Sequence, residues 1–441
     1  VWAAVRGRWH AASREALLLV WAWVALCGLS LLWSRHVDAT LDGTAAVAAT
    51  GLVFLLGAGL TDRRARRRFV FGFAVLGATV AGFAVASVQP GERATTPFGN
   101  PNHLAAWLML PAAVACLATL SVDVGRRGRR EDALLGFGVV AVTGAGIAAT
   151  SSLGAGVAAV VAIVGLAGLR RLGARPGLAL AVAVLALTGL GLIALPLLAP
   201  GWLSPVSGGT EWSPGLRWAV WSAGARAALE AAPLGVGLGA FPSAFALQRP
   251  AGMVYAARHA HSEPLHGLVE LGLPFVVLSA ATAWVAVRRV GRRLASVPSS
   301  FRGGAATALL ALAAHSLVDF PLHVPAIALT AAVLAGALWG GASTPRHGAP
   351  EGLAATRVSF AALAVLCLAL AGTQGYADRA VRRAAVSTEL GAFDAAIEIA
   401  ERGLRVRPQH ADLLRELARA SEHAYRFGAG GAERMVRATQ A

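Results

Sequence analysis

The stretch LALAVAVLALTGLGLIALPLL, residues 178–198, contains no charged side chain. A run of about 20 apolar residues is long enough for an α-helix to cross the hydrocarbon core of a bilayer. The composition of the chain agrees, because 56% of its 441 residues are hydrophobic and 14% are charged, whereas soluble domains carry about 25% charged residues. The sequence therefore predicts an all-α, polytopic integral membrane protein.

Similar apolar runs lie on both sides of this stretch and predict about eleven membrane-spanning helices. Arginine clusters, such as DRRARRR at 62–68 and RRVGRR at 288–293, follow at every second connection. Because basic residues favour the cytoplasmic side of a membrane, this alternation predicts that these loops are cytoplasmic and the others extracytoplasmic. The predicted spans are 15–33, 41–60, 69–88, 103–121, 132–150, 152–169, 178–198, 264–287, 303–320, 324–342 and 358–375.

The spans predict a transmembrane domain at 1–375, with a long loop at 199–263, and a small helical tail at 376–441. Loop and tail are both expected on the extracytoplasmic side. In the tail, 391–408 matches the spacing of the second helix of a tetratricopeptide repeat, and HADLLRELARASEHAY would supply the next helix. A generic amphipathic helical hairpin is the alternative interpretation. Either form offers a surface for a protein partner.

Charge and cysteine content exclude several classes of protein. The net charge of +16 comes from 39 arginines without a lysine. They form short clusters between apolar runs, which is typical of membrane topology and not of nucleic-acid binding. The three cysteines lie in apolar runs, and no P-loop, Gly-x-Ser-x-Gly, His-Glu-x-x-His or Cys-x-x-Cys motif occurs. Asp38 and Asp42 in the first outer loop are only a weak signal for a divalent cation.

The most polar stretch beside a predicted span is RHAHSEPLHGLVELGLPF, residues 258–275. Ser262 can cap a helix whose first turn is acidic, and Glu263, His266 and Glu270 then share one face of that helix. His261 precedes the cap at the positive end of the helix dipole, a position that suits a base beside an anion. Alternatively, these groups satisfy one another inside the helix bundle, although ionisable groups at a membrane are more often functional.

A second polar stretch, SPGLRWAVWSAGARAALEAAPLGVGLGAF at 213–241, contains two arginines of different character. Arg217 has no acidic partner at helical spacing, so it is either an interfacial anchor or a phosphate ligand. Arg226 is expected to form an exposed ion pair with Glu230, one turn further on. The GVGLG segment follows a helix and lacks the P-loop lysine, which predicts a close-packed turn and not a nucleotide site.

Two further segments place polar side chains at the predicted outer ends of spans. TTPFGNPNHLAAWLML, at 95–110, contains Asn100 and Asn102, residue types that favour turns and helix caps. HSLVDF places His315 and Asp319 at i and i+4 on another span. A histidine held by a carboxylate is either a structural contact or a group that orients the site.

Four stretches in the same order resemble the O-antigen ligase and polymerase superfamily, which are multispan membrane glycosyltransferases. They are PFGNPNHLAAWLMLP, GLRWAVWSAGARAALEAAPLGVGLGAF, HAHSEPLHGLVELGLPF and HSLVDFPLHVPA. The resemblance covers about residues 90–342. Its most specific part is a histidine, a small polar residue, nine residues and a glycine, matched here by His261, Ser262 and Gly272. Arg217 matches an arginine before a tryptophan-bearing helix.

Two positions depart from the pattern of the superfamily. Near the motif glycine, many members have glycine, threonine or tyrosine where this chain has Phe275. Many members also carry an arginine where TSSLGAG has Leu153. The second departure implies that one phosphate-binding arginine is missing or is supplied elsewhere, by Arg93 or Arg258.

The resemblance implies transfer of a glycan from undecaprenyl pyrophosphate to an acceptor hydroxyl, on lipid A-core or another glycan, outside the bacterial inner membrane. His261 would be the base and Arg217 would stabilise the departing diphosphate, with no metal and no cofactor. Polymerisation of glycan repeats and protein O-glycosylation are alternatives within the superfamily, and bicarbonate-type transport is an alternative of another class. The expected substrate-binding residues are Arg258, Arg93, Asn100, Asn102, Glu263, His266, Glu270, His315 and Asp319.

Overall fold

The computed structural model describes residues 12–60, 63–120, 129–198, 214–251, 253, 256–296, 300–340 and 350–427, and most of them are helical. Fifteen α-helices and no β-strand occur in these residues, which confirms the all-α class. The predicted loop lies outside the described residues at 199–213, as does the end of the tail at 428–441.

The helices are α1 Arg14–Leu29, α2 Val37–Ala58, α3 Arg63–Ser87, α4 Pro101–Leu120, α5 Arg129–Ala149, α6 Leu153–Arg171, α7 Ala174–Leu198, α8 Pro214–Glu230, α9 Phe241–Gln248, α10 Glu263–Ser296, α11 Ser300–Ser316, α12 Pro325–Trp339, α13 Pro350–Glu389, α14 Phe393–Val406 and α15 Ala411–Phe427.

Seven of these helices are long and apolar enough to cross a membrane, so the protein is a multi-pass membrane protein. They are α1, α2, α3, α4, α7, α10 and α13. Each of the eleven predicted spans overlaps one α-helix over most of its length. The helices at the other four predicted spans, α5, α6, α11 and α12, are not both long enough and apolar enough by the same criterion. That they cross the membrane therefore stays a prediction.

Burial distinguishes helices that face outward from one that lies in the core. In α7 the exposed residues include Leu187 and Leu190, whereas its buried residues include Gly177 and Gly189. Large apolar side chains pointing away from the protein are expected where lipid replaces water as the solvent. By contrast, α4 is mostly buried and packs against α5 and α11.

The chain forms two compact units. The first comprises Val1–Trp23, Thr50–Val236 and Phe241–Phe360, and the second comprises Val24–Ala49, Gly237–Ala240 and Ala361–Ala441. The helix α13 continues without interruption past residue 375 to Glu389. The boundary that the sequence suggested between 375 and 376 stays a prediction.

The tail contains the two helices that its sequence predicts. After Gly391, which has a positive φ of 76°, α14 and α15 pack against each other. Their contact buries small side chains, including Ala396, Ala420 and Ala424. The helical pair is thus confirmed, while its kinship with tetratricopeptide repeats stays a prediction.

Arg407 at the end of the first tail helix is fully buried and joins the tail to the start of α2. Its guanidinium lies 3.0 Å from Asp42 Oδ1 and donates to the Asp38 carbonyl at 3.2 Å. The Asp38 side chain also accepts from the Gln409 backbone N–H at 3.0 Å. The two acids with the weak metal signal therefore balance a buried arginine, as a buried charge requires.

Candidate functional site

The carboxylate of Asp319 is the centre of a buried charged cluster in the first unit. It lies in the turn after α11 and is 2% exposed. Three cationic or titratable groups face it: Arg217 Nη2 at 3.7 Å, His261 Nδ1 at 3.6 Å and His315 Nε2 at 3.9 Å. Its Oδ1 accepts the Phe320 backbone N–H at 2.9 Å.

These neighbours keep the Asp319 side chain ionised. Burial alone would raise the pKa of its carboxyl group, because a charge loses solvation in the protein interior. The contacts with His261, Arg217 and His315 outweigh burial and hold that pKa below its ordinary value. The cluster is therefore built around a permanent negative charge.

His261 is held by its backbone in the loop before α10. Its φ of 50° is left-handed, which is uncommon for a residue with a side chain. The His261 carbonyl accepts from Trp221 Nε1 at 3.2 Å, and the ring packs edge-on against Phe320. Because Nδ1 faces Asp319, Nε2 is the ring nitrogen left to act on another group. Ser262 follows, and α10 begins at Glu263 as the sequence predicts.

Arg217, which has no acidic partner at helical spacing, finds one in a distant segment. Its Nη1 donates to the Val318 carbonyl at 2.8 Å, next to the contact with Asp319. The side chain is 19% exposed, so part of the guanidinium is accessible. The arginine is thus oriented by one turn of the chain and retains donors for an anion.

Arg226 on the same helix does not form the ion pair that the sequence suggests. Its Nη2 donates to the Gln248 carbonyl at 3.2 Å, and Glu230 accepts from the Gln248 side-chain amide at 2.7 Å. Arg226 and Glu230 therefore hold the end of α9 jointly through Gln248. Helical spacing alone missed this contact, because α9 comes from further along the chain.

Arg93 lies against the segment that holds Leu153. Its Nε donates to the Thr150 carbonyl at 2.7 Å, and Nη2 contacts the Ser151 carbonyl at 3.3 Å and Asn102 Oδ1 at 3.4 Å. Burial and the neighbouring positive charge of Arg217 lower its pKa. The structure thus places a second guanidinium near Arg217, beside the segment that leads to Leu153.

Two other predicted site residues, Asn100 and Arg258, do not share the contacts of Arg93. Asn100 accepts from the backbone N–H groups of Asn102, at 2.8 Å, and His103, at 3.4 Å, and so caps the start of α4. Arg258 lies in the loop before His261 with an exposed side chain. The turn-and-cap interpretation therefore accounts for Asn100.

His266 and Glu270 form a buried pair that supports the site from within α10. The Glu270 Oε1 atom lies 3.1 Å from His266 Nε2 and accepts the Phe241 backbone N–H at 3.1 Å. The His266 ring also stacks on Phe241, and its Nδ1 accepts the Ala260 backbone N–H at 3.3 Å. This pair joins α9, α10 and the loop that carries His261.

Gly272, the glycine of the motif, breaks α10 with a φ of 60°. The break lets the Leu273 N–H donate to the Pro233 carbonyl at 2.8 Å, and a methyl group at Gly272 would overlap that carbonyl. The Val236 N–H likewise donates to Val269 at 3.0 Å. The turn that begins the GVGLG segment is therefore packed closely on α10, as the sequence predicts, and the spacing of the motif has a steric cause.

Phe275, one of the two departures from the motif, fits because of a second glycine. Its ring packs directly against Gly267, where an added Cβ would overlap the ring. The same ring makes an edge contact with Trp23. A large aromatic residue is thus accommodated at this position without disturbing the break at Gly272.

Two histidines that sequence analysis did not select lie beside His266. The His323 Nδ1 atom lies 3.2 Å from Glu263, which also accepts the Leu322 backbone N–H at 2.7 Å. The His259 ring stacks on Phe320 and contacts the ring of His323.

The two rings differ in the direction of their pKa shift. Burial, followed by the charges of His323 and His266, lowers the pKa of His259 to about 3. Burial alone would lower the pKa of His323 as well, but Glu263 outweighs it and raises that pKa. At neutral pH His259 is therefore an uncharged ring that can offer a lone pair.

Both missed histidines lie inside the stretches that carry the resemblance, so the available signal was the density of histidine in them. Six of the 11 histidines of the sequence belong to these stretches. Residue spacing along single helices did not predict that histidines from different stretches lie close together. The six are His103, His259, His261, His266, His315 and His323.

Part of the chain matches a known protein family. Residues 138–280 match the O-antigen ligase family model. The resemblance inferred from the sequence is confirmed over these residues, which are less than half of the chain. No curated protein and no solved structure matches the chain significantly. The matched segment contains Arg217, His261 and Gly272, whereas Asp319 lies outside it. The match supports a glycosyltransferase-type ligase or polymerase, embedded in a membrane by its apolar helices.

Proposed function

We propose that this protein transfers a glycan from undecaprenyl pyrophosphate to an acceptor hydroxyl at the outer face of the inner membrane. The observation that carries the proposal is the convergence of Arg217 and His261 on Asp319, at 3.7 Å and 3.6 Å. One cluster thus contains a cation that can stabilise the departing diphosphate and a base that can accept the proton of a hydroxyl group. The family match over residues 138–280 supports the same class of reaction.

In the proposed reaction the acceptor oxygen attacks the anomeric carbon of the donor. The bond from that carbon to the diphosphate oxygen breaks, and both of its electrons leave with undecaprenyl pyrophosphate. His261 Nε2 takes the hydroxyl proton, and the Asp319 carboxylate beside Nδ1 stabilises the imidazolium that results. The diphosphate is a good leaving group, so the proposal needs no separate general acid.

Arg217 and Arg93 are the proposed diphosphate ligands. A guanidinium is planar and can grip two phosphate oxygens at once. Arg217 is oriented by Val318 and Asp319, and Arg93 by the Thr150 carbonyl and Asn102. Arg93 then supplies the charge that many relatives place where this chain has Leu153. Four other predicted substrate-binding residues, Glu263, His266, Glu270 and His315, are proposed to shape the site around these groups.

We propose a lipid A-core or related surface glycan as the acceptor. Polymerisation of glycan repeats and protein O-glycosylation are alternatives that use the same chemical step. The test is transfer by the purified protein in nanodiscs, with a lipid-diphosphate glycan donor and each acceptor in turn.

Formation of a glycosylated acceptor with release of the lipid diphosphate is the expected result. Bicarbonate uptake by proteoliposomes, without any transfer, would instead establish the transporter alternative.

A further inference from the structure

A cluster of three histidines lies beside the proposed site and comes from three separate segments of the chain. His259 is in the loop before α10, His266 is on α10 and His323 follows α11. One ring nitrogen from each residue lies within 4.8 Å of one from each of the others. The ring centroids are 4.4 Å apart for His266 and His323, and 4.7 Å apart for His259 and His323.

Carboxylates hold two of these rings in a defined orientation. Glu270 lies 3.1 Å from His266 Nε2, and Glu263 lies 3.2 Å from His323 Nδ1. Histidines that bind metal commonly donate their second N–H to a carboxylate, which fixes the tautomer and strengthens the ligand. In the neutral rings these contacts leave His266 Nδ1 and His323 Nε2 to coordinate the metal. His266 Nδ1 would exchange its 3.3 Å hydrogen bond from the Ala260 N–H for the metal.

The third ring carries a polar atom without a hydrogen bond. His259 Nδ1 is buried, and no hydrogen-bond partner for it occurs among the residues that the structure describes. A buried ring nitrogen in that state normally costs stability, because it has lost its contact with water. A metal ion coordinated by this ring would remove the cost.

We propose that His259, His266 and His323 bind a divalent transition metal, with Zn²⁺ as the natural occupant. Imidazole ligands suit zinc, and three protein ligands leave a fourth position open for water or an anion. Zinc–nitrogen bonds of about 2.0–2.1 Å place tetrahedral ligand atoms about 3.4 Å apart. The rings therefore have to close by roughly 1 Å. His323 can supply much of this movement, because it lies in a short turn and is 31% exposed.

The metal would cross-link the loop that carries His261 to two helical segments. His261 is two residues from His259 and has a left-handed backbone, so this loop gains from an additional restraint. We assign the metal this bracing role and no step in glycan transfer. The inference rests on the geometry of the three rings and holds or fails independently of the proposed function.

The test is direct metal binding by the full-length protein, purified with a tag that contains no histidine. The protein is dialysed against buffered Zn²⁺, and bound metal is measured by mass spectrometry. We expect one zinc per chain for the wild type and none for H259N/H323N. The substitution H423A, a histidine of α15, is the matched control and should retain the metal.

A second variant keeps the test informative if H259N/H323N does not fold. Glu263→Gln leaves all three rings in place and should weaken zinc binding roughly 10- to 100-fold, because it removes a hydrogen-bonded carboxylate from His323. Cobalt(II) titration of the wild type should also give the intense visible bands of a four-coordinate site. Absence of these bands, or equal zinc content in wild type and folded H259N/H323N, would overturn the proposal.

Discussion

Asp319 Oδ1 lies 3.6 Å from His261 Nδ1, although the two residues belong to loops that flank different helices. The ring is thereby oriented so that Nε2 is available, and its protonated form has an adjacent buried carboxylate. In the proposed reaction this contact is what makes His261 an effective base. The carboxylate is shared with Arg217, so the two halves of the site are coupled through one side chain.

Asp319→Asn preserves the shape of the side chain and removes its charge. We expect kcat for glycan transfer to fall by about 100-fold or more, since a positioned base contributes roughly 10²–10⁴-fold to a rate. Initial rates with the lipid-linked donor measure the effect. Asp412→Asn, at an exposed acid of α15, should leave kcat unchanged. A normal kcat in folded Asp319→Asn would remove this carboxylate from the mechanism.

Arg217→Lys tests the shape of the diphosphate ligand, because lysine keeps the charge and loses the planar pair of donors. Loss of a charge-assisted contact in a poorly hydrated site costs about 2–4 kcal/mol, or on the order of 30- to 1,000-fold in kcat/KM. Arg226→Lys on the same helix is the matched control and should have little effect on transfer. Equal activity of the two variants would return Arg217 to the role of an interfacial anchor.

The sequence predicted most of the helices, because the length and periodicity of an apolar run are local properties of the chain. All eleven predicted spans overlap helices, and the close-packed turn at GVGLG was expected from its composition. The contacts between segments were not predictable in this way. Asp319 was paired with His315 at i+4, while its contacts with His261 and Arg217 depend on how α8, α10 and α11 pack. His259 and His323 were missed for the same reason.

Arg407→Ala tests whether the buried arginine secures the tail. Removing it leaves the buried Asp38 and the half-exposed Asp42 without their cation. An unpaired buried charge costs at most about 3–5 kcal/mol, and the exposure of Asp42 reduces its share of that cost. We expect faster proteolysis of the tail and a lower unfolding temperature, with Arg405→Ala, an exposed arginine on the same helix, as control. Identical protease sensitivity of the two variants would contradict this role.

Arg249→Cys tests the orientation that the proposal requires. In a background without Cys27, Cys116 and Cys367, the exposed residue 249 should react with an impermeant thiol reagent in cells whose outer membrane alone has been permeabilised. Arg64→Cys, in an arginine cluster predicted to be cytoplasmic, should react only after the inner membrane is opened. The reverse pattern would place the site on the cytoplasmic side and exclude the proposed donor chemistry.

The central claim is that His261 takes the proton from the acceptor hydroxyl. The most direct measurement compares wild type and His261→Ala in a single turnover with a lipid-diphosphate glycan donor, recording donor binding and transfer separately. We predict that His261→Ala binds the donor through Arg217 and Arg93 and forms product at least about 100-fold more slowly. Transfer by His261→Ala at the wild-type rate would contradict the account.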